Sequence, residues 1–95
     1  MIVNVLENNL DKNLSLSEIA ELCNMSKVNL SKIFSKYSGM GVISYYNQMK
    51  INYAIPMLKE NMSVKEVSEK LGFENQNYFC TVFKRIKGIA PSYSR

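Results

Sequence analysis

The feature that most constrains the fold of this chain is an internal repeat. The segment SLSEIAELCNM at 15–25 aligns with SVKEVSEKLGF at 63–73, at an offset of 48 positions. One extra residue then changes the offset to 49, and the similarity continues until Gly39 aligns with Gly88. Two copies are too few for a repeat solenoid, so the sequence predicts one supersecondary unit that is present twice.

Each copy carries the signals of two short helices joined by a tight turn. Ser15 and Ser63 each have a glutamate three positions later, the capping-box pattern that satisfies free N–H groups at a helix start. Asn24 and Gly72 tolerate a left-handed backbone and are expected to end the first helix. The second helix is expected to begin after a polar cap and to end at a glycine: Ser26 and Gly39, then Asn75 and Gly88. Each copy is therefore predicted to be a helix-turn-helix unit.

The segments outside the repeat add a leading helix, a linking helix and a closing turn. Apolar residues from Ile2 to Leu6 mark the leading helix, and a final turn or short helix follows Pro91. Pro56 lies inside the linking helix, where its missing N–H is expected to kink or interrupt the helix.

The predicted fold class is all-α, because no segment shows the alternation of a strand. We expect about seven helices in a duplicated, homeodomain-like arrangement that forms a single domain over residues 1–95. Its parts are a first helix-turn-helix unit at about 15–41, a linking helix at about 43–60 and a second unit at about 63–90.

Composition excludes several classes of function. The chain has no histidine and two distant cysteines, Cys23 and Cys80, so no metal site is predicted. It has no Gly-rich phosphate loop and no nucleophile beside a base, so no catalytic residue, enzyme activity or cofactor is predicted. No apolar run approaches the ~20 residues of a membrane span, and the first residues of the sequence do not show the pattern expected of a signal peptide. We expect a cytoplasmic protein with reduced, partly packed cysteines.

Positive charge is concentrated in two stretches of the chain. Residues 26–50 contain four lysines and no acid, and residues 75–95 contain two lysines, two arginines and no acid. Each stretch includes the second helix of one repeat. Two acid-free basic stretches predict two docking surfaces for a polyanion, with chance clustering on a solvated surface as the alternative.

The second helix of each copy separates into a buried and an outward face at about 100° per residue. The apolar stripes predicted to be buried are Leu30, Ile33, Phe34 and Tyr37 in the first copy and Phe79, Val82, Phe83 and Ile86 in the second. The outward positions differ between the copies, since Val28 aligns with Asn77 and Lys32 aligns with Thr81. Matching buried halves with different outward halves are expected when each copy reads a different target.

The outward side chains suit the edges of base pairs in duplex DNA. Amides such as Gln76 and Asn77 can bond to adenine, lysine can reach guanine, and the methyl groups of Val28 or Thr81 can contact the thymine methyl. Double-stranded DNA is therefore the predicted partner, and RNA is disfavoured because A-form grooves do not admit a helix. A helical protein-protein interaction module is the alternative, and it would require an exposed apolar stripe.

The run from Ser63 to Arg95 resembles the signature of the AraC/XylS family of bacterial transcription regulators. The matching residues there are Gly72, Phe73, Tyr78, Phe79, Phe83, Lys84, Gly88, Ala90, Pro91, Tyr93 and Arg95. Upstream, Leu30, Ser31, Lys32, Phe34, Gly39, Tyr45, Lys50, Ile51, Ala54, Met57 and Leu58 keep the family's spacing. The resemblance implies two helix-turn-helix units that enter successive major-groove segments on one face of DNA.

The candidate site residues follow from the outward faces and from this resemblance. The positions that match the family's base contacts are Val28, Asn29, Ser31 and Lys32 in the first unit and Gln76, Asn77, Tyr78 and Thr81 in the second. Lys27 joins them because it lies in the first turn of its helix. Candidates for phosphate contacts are Ser35, Lys36, Lys50, Asn75, Lys84, Arg85 and Lys87. We expect Tyr78 to pack at the helix edge rather than on a base.

The resemblance also carries departures and implied partners. Gly41 and Val42 stand where the family often has Ser or Thr followed by Pro, and Lys50 replaces the usual Arg. Family members usually carry an effector-binding or dimerisation domain, which this chain is expected to lack. We expect a monomeric domain excised from a longer regulator with an added Met1, or a stand-alone short regulator. RNA polymerase is implied as a further partner, and the sequence leaves activation or repression open.

Overall fold

The computed structural model describes residues 2–93. Its helices are α1 (Ile2–Glu7), α2 (Leu16–Leu22), α3 (Lys27–Ser38), α4 (Val42–Lys59), α5 (Val64–Lys70) and α6 (Gln76–Lys87), followed by a 3-10 turn (Pro91–Tyr93). No strand occurs within residues 2–93. The all-α prediction is confirmed, with six α-helices and one 3-10 turn in the part of the chain that the structure describes. Met1 and Arg95, named in the expectations above, lie outside the described residues.

Reciprocal capping starts the first helix of each helix-turn-helix unit, as predicted. The Ser15 hydroxyl accepts a hydrogen bond from the backbone N–H of Glu18 at 3.2 Å. The Glu18 carboxylate in turn accepts from the backbone N–H of Ser15 at 2.8 Å. Ser63 and Glu66 form the same pair at 3.0 and 3.1 Å. Hydrogen bonds with the backbone and side chain of Ser15 lower the pKa of the Glu18 carboxyl below its ordinary value, and those with Ser63 do the same for Glu66.

Left-handed residues end the helices of both units at the predicted positions. Asn24 has φ 56° and Gly72 has φ 68°, and they form the turns that lead into α3 and α6. The caps of α3 and α6 are Gly39 and Gly88, with φ 75° and 82°. Because the residue types at these points tolerate positive φ, helix length is set locally in each copy.

Two hydrophobic cores, one for each unit, are arranged along α4. The first core consists of Leu6, Ile19, Ala20, Leu30, Phe34, Val42 and Tyr46. The second consists of Ile51, Ala54, Leu58, Val67, Leu71, Phe73, Phe79, Val82 and Phe83. Ala20 and Ser68, the small residues of α2 and α5, are 3% and 2% exposed. The first half of α4 therefore packs in the first core, and its second half packs in the second core.

The linking helix is continuous. α4 runs from Val42 to Lys59 and includes Pro56, so the structure shows no interruption at the proline. The Pro56 carbonyl accepts a hydrogen bond from the Glu60 backbone N–H at 3.1 Å, which closes the last turn. Burial of the flanking Ala54 and Leu58 in the second core holds both sides of the proline in place.

The predicted buried stripe is wrong at two positions of α3. Leu30 and Phe34 are buried, but Ile33 is 54% exposed and Tyr37 is 72% exposed. The second stripe is confirmed, with its three leading residues fully buried and Ile86 packed at the margin. α6 is covered by α4, α5 and the 3-10 turn, whereas α3 contacts α2 and α4. Ile33 and Tyr37 instead line an open apolar groove of about 430 Å³ beside α1.

Features typical of membrane proteins and of metal-binding proteins are missing from residues 2–93. Across residues 2–93, no helix is long and apolar enough to traverse a lipid bilayer. The same residues hold no cluster of three or more side chains suited to a metal ion. Cys23 and Cys80 are free, partly buried thiols that pack against the first and the second core. Their packing agrees with the prediction that they act as small apolar residues.

Candidate DNA-binding surface

The first turn of α6 presents amide side chains to solvent. Asn75 caps the helix, and its Oδ1 accepts a hydrogen bond from the backbone N–H of Tyr78 at 2.8 Å. Gln76 and Asn77 follow, both exposed. One turn later the Thr81 hydroxyl donates to the Asn77 backbone carbonyl at 3.0 Å. Because that bond uses the hydroxyl proton, Thr81 keeps an oxygen lone pair and its methyl group for an outside partner.

The first turn of α3 presents a different set of groups at the equivalent positions. The Ser26 hydroxyl caps the helix by accepting from the Asn29 backbone N–H at 3.1 Å. Val28 is 65% exposed, an extent that suits contact with another methyl group rather than a role in the core. The remaining candidates on this face, Lys27, Asn29, Ser31 and Lys32, are exposed. The exposed face of α3 therefore presents lysine ammonium groups and the methyl groups of Val28, whereas the first turn of α6 presents amide groups.

Tyr78 lies at the edge of the α6 face. Its side chain is 41% exposed, and its ring centroid lies 6.1 Å from that of Phe73 with the planes tilted by 57°. One side of the ring is therefore used in packing against the second core. This arrangement agrees with the prediction that Tyr78 packs at the helix edge rather than stacking on a base.

Most phosphate candidates are exposed cations or polar groups in the second halves of α3 and α6, apart from Asn75, which caps the start of α6. The exposed members are Ser35, Lys36, Asn75, Lys84, Arg85 and Lys87. The Lys87 ammonium lies 3.3 Å from Oδ1 of Asn52 on α4, so this side chain also ties α6 to the linking helix. Lys84 and Arg85 extend from the same basic end of α6, whereas Lys36 lies in the last turn of α3.

The prediction that Lys50 contacts phosphate is wrong, because its side chain is buried. Lys50 is 1% exposed, and its ammonium donates a hydrogen bond to the backbone carbonyl of Lys12. The ammonium also lies 4.3 Å from the centre of the Tyr46 ring and 5.1 Å from that of Phe73. Burial lowers the pKa of the Lys50 ammonium to about 8, and the nearby Asp11 opposes that shift. A group enclosed in this way cannot reach a phosphate.

Analysis of the sequence also missed the contact between the two units around Lys12. The Tyr46 hydroxyl lies 2.6 Å from the Lys12 carbonyl, the same oxygen that accepts from Lys50. A Cβ on Gly72 would lie 2.5 to 2.7 Å from backbone atoms of Lys12, so the two segments meet closely. The sequence signal was Gly72 itself, which was interpreted as a helix end although its close approach to Lys12 also requires glycine.

Comparisons with known proteins agree with this arrangement of helices. A family model described as a helix-turn-helix domain matches residues 19–95. The HTH-type transcriptional activator RhaR of Salmonella dublin is 30% identical, with the match covering 99% of this chain and 34% of RhaR. The C-terminal domain of the response regulator yesN from Fusobacterium nucleatum is 31% identical with a TM-score of 0.92, covering 99% of this chain and 93% of that one.

A second solved structure identifies the family. A Chromobacterium violaceum transcriptional regulator with an AraC-type DNA-binding domain is 25% identical with a TM-score of 0.88, covering 99% of this chain and 85% of that one. The chain belongs to the AraC/XylS family of transcription regulators. It corresponds to their DNA-binding domain, and its function is sequence-specific DNA binding in transcription regulation. This chain spans between 12% and 46% of the length of the first curated relatives. Most of those relatives are transcription regulators.

Proposed function

We propose that α3 and α6 place their first turns in two successive major-groove segments of one asymmetric DNA site. The observation that carries this proposal is the duplication itself. Both helices start at a side-chain cap and end at a left-handed glycine, yet their exposed first turns differ. A recognition helix contacts base edges with its first-turn residues, so two different first turns read two different half-sites. The site is then of the order of 20 base pairs if the helices bind one turn of DNA apart.

The exposed side chains assign different base preferences to the two helices. On α6, Gln76 and Asn77 can each bond to N6 and N7 of adenine, while the Thr81 methyl can contact thymine. On α3, Lys27 and Lys32 can donate to O6 and N7 of guanine. The other base-contact candidates are Val28, Asn29, Ser31 and, at the edge of α6, Tyr78. The α6 half-site should therefore be richer in adenine than the α3 half-site.

Phosphate contacts would fix the register of the domain without reading sequence. The proposed contacts are Ser35, Lys36, Asn75, Lys84, Arg85 and Lys87, with Lys50 withdrawn because it is buried. Neutralising several phosphates releases counterions, so affinity should fall steeply as salt is raised.

The whole regulator would have partners beyond DNA. Because one chain presents two reading helices, a two-part site needs no second copy, and we propose that this domain binds as a monomer. Effector binding and dimerisation would belong to a separate domain, and RNA polymerase is a further proposed partner. The apolar groove beside Ile33 and Tyr37 favours a protein contact as a second role, on a flank of α3 next to the reading face.

Selection of binding sites from a random duplex library tests the proposed function. The selected duplex is then titrated against salt. We expect an asymmetric two-part motif, and log affinity that falls with log salt at a slope of about −4 or steeper. A symmetric motif, or a single short motif, would contradict reading by two different helices. Absence of any enriched motif, together with salt-independent binding, would favour the protein-interaction alternative.

We predict that Asn77→Ala weakens binding to the selected site by about 1–3 kcal/mol and leaves random DNA almost unaffected, because it removes a base contact. Lys84→Ala is the matched comparison on the same helix. It should weaken binding to both DNAs by similar factors and reduce the salt slope by about one, because it removes a phosphate contact. Competition titrations with fluorescent duplexes measure both effects. Equal losses on all sequences for Asn77→Ala would place that residue among the phosphate contacts.

A further inference from the structure

The two cores of this domain meet at Lys50. Tyr46 belongs to the first core and Phe73 to the second. The Lys50 ammonium lies between their rings, 4.3 Å from the Tyr46 centroid and 5.1 Å from the Phe73 centroid. Both distances are within the range of a cation–π contact. One side chain of the linking helix therefore touches an aromatic residue of each unit.

The same ammonium is anchored to the loop between α1 and α2. It donates to the Lys12 carbonyl, which also lies 2.6 Å from the Tyr46 hydroxyl. The Tyr46 hydroxyl is equally within reach of the Asn9 carbonyl. The loop of the first unit is thus fixed to α4 by two side chains one helical turn apart.

The turn of the second unit packs directly on that loop. Gly72, in the turn between α5 and α6, has φ 68°, and a Cβ there would lie 2.5 to 2.7 Å from the backbone of Lys12. A steric contact and a directional hydrogen bond therefore meet at the same loop residue. We refer to Lys12, Tyr46, Lys50, Gly72 and Phe73 as the junction.

We propose that Lys50 is a positioning residue that fixes the angle between α3 and α6 and thereby sets the half-site spacing that the domain prefers. This inference rests on the proposed reading of a two-part site. Burial of a charge contributes little to stability, whereas a buried polar contact can select one arrangement among several similar ones. Two cores that share one helix could otherwise rotate slightly about it. The junction holds the loop of one unit against the turn of the other, so rotation would break the bond to Lys12.

Lys50→Met is the variant that tests this role. Methionine has a similar length and is apolar, so it fills the site without a charge. The Lys12 carbonyl keeps the Tyr46 hydroxyl as a donor, so no buried acceptor is left without a partner. Lys59→Met is the matched control, because Lys59 is exposed on the same helix and lies outside the junction. Lys50→Arg keeps a cationic donor and serves as the conservative variant.

The measurement compares affinity for the selected two-part duplex with affinity for duplexes that have one base pair inserted or removed between the halves. Each isolated half-site is titrated as well. Simultaneous engagement of both helices requires matched geometry, so the wild type should lose about tenfold or more on the altered spacings. Lys50→Met should bind the half-sites normally but show less than about threefold dependence on spacing. Lys59→Met and Lys50→Arg should retain the dependence of the wild type.

Each outcome bears on one of the two proposals. Unchanged spacing dependence in Lys50→Met would overturn the role of Lys50 while leaving two-part reading intact. A wild-type protein that shows no dependence on spacing would overturn two-part reading, and the positioning role with it. If Lys50→Met does not fold, Lys50→Leu also removes the ammonium and its hydrogen bond to Lys12, and it is taken through the same measurement. Wild-type spacing dependence in that variant would overturn the proposal.

Discussion

Ile33 and Val82 occupy equivalent positions in the two copies of the repeat but differ in environment. Val82 is fully buried, whereas Ile33 is 54% exposed. Val82 lies in the second core together with α4 residues such as Ala54 and Leu58. Ile33 instead lines the open groove beside α1. Aligned positions of the two copies therefore lie on the same face of their helices but can differ in burial.

This difference predicts unequal costs for two truncations on α3. Leu30→Ala should lower the free energy of unfolding by about 2–5 kcal/mol, because it leaves a cavity in the first core. Ile33→Ala should cost less than about 1 kcal/mol, because more than half of the side chain is already in water. Urea denaturation of the two variants and the wild type gives both values. Similar losses would indicate that the groove beside Ile33 is closed in solution.

At the scale of elements, the helix ends are set locally and the linking helix is set by its packing. The capping boxes of α2 and α5 join residues three apart, so they form wherever the pattern occurs. α4 instead continues through Pro56, against the local preference of proline. Burial of Ala54 and Leu58 on either side in the second core overrides that preference.

Pro56→Ala is predicted to stabilise the domain. Alanine supplies the N–H that can donate to the Asn52 carbonyl and has a helix propensity about 3 kcal/mol better in a helix interior. Greater freedom of the unfolded chain offsets about 0.4–1 kcal/mol of that gain. We expect the free energy of unfolding to rise by about 1–2 kcal/mol. Thermal and urea denaturation measure the change, with the exposed Lys59→Ala in the same helix as the control.

A decrease in stability for Pro56→Ala would contradict this account of α4. It would mean that the contact of α4 with both cores depends on the shape that proline gives the helix. Pro56 would then stabilise the packing of α4 against the two cores.

At the scale of the whole molecule, α4 and the junction connect the two small cores. The structured residues extend over 39 × 21 × 19 Å, so the two reading helices are carried on an elongated body. A buried lysine at the meeting point of the cores is costly unless its charge is compensated. Its compensation here consists of one carbonyl, two aromatic faces and the charge of the nearby Asp11.

The pKa of Lys50 predicts how stability depends on pH. Burial lowers the pKa of this ammonium from 10.5 to about 8, so the folded state releases the proton before the unfolded state does. The unfolded state then binds more protons between these values, and the free energy of unfolding should rise as the pH increases from about 8 to about 10.5. Burial also raises the pKa of Tyr46, which should lower stability only as the pH passes the ordinary value of 10.

Urea denaturation at pH 7, 8 and 9 measures this dependence on pH. Lys50→Met should lose the rise in stability, whereas Lys59→Met should keep it. The same rise in wild type and Lys50→Met would assign the titration to another group.

Much of the candidate site could be predicted from the sequence, because the residue types and their spacing along a helix determine which side chains face outward. Gln76, Asn77 and Thr81 are exposed on α6 as expected, and Val28 and Lys32 are exposed on α3. Their exposure follows from the 3.6-residue period once the helix exists. Their contacts with bases remain predictions.

The sequence by itself determined where α2, α3, α5 and α6 begin and end, because a side-chain cap or a left-handed residue acts within a few residues. It also determined that the unit occurs twice with two different outward faces. Only the tertiary structure decided that Lys50 is enclosed between two rings and that Ile33 and Tyr37 face an open groove. Burial depends on which distant segments cover a residue, and neither Lys12 nor Phe73 is part of the local pattern that defines α4.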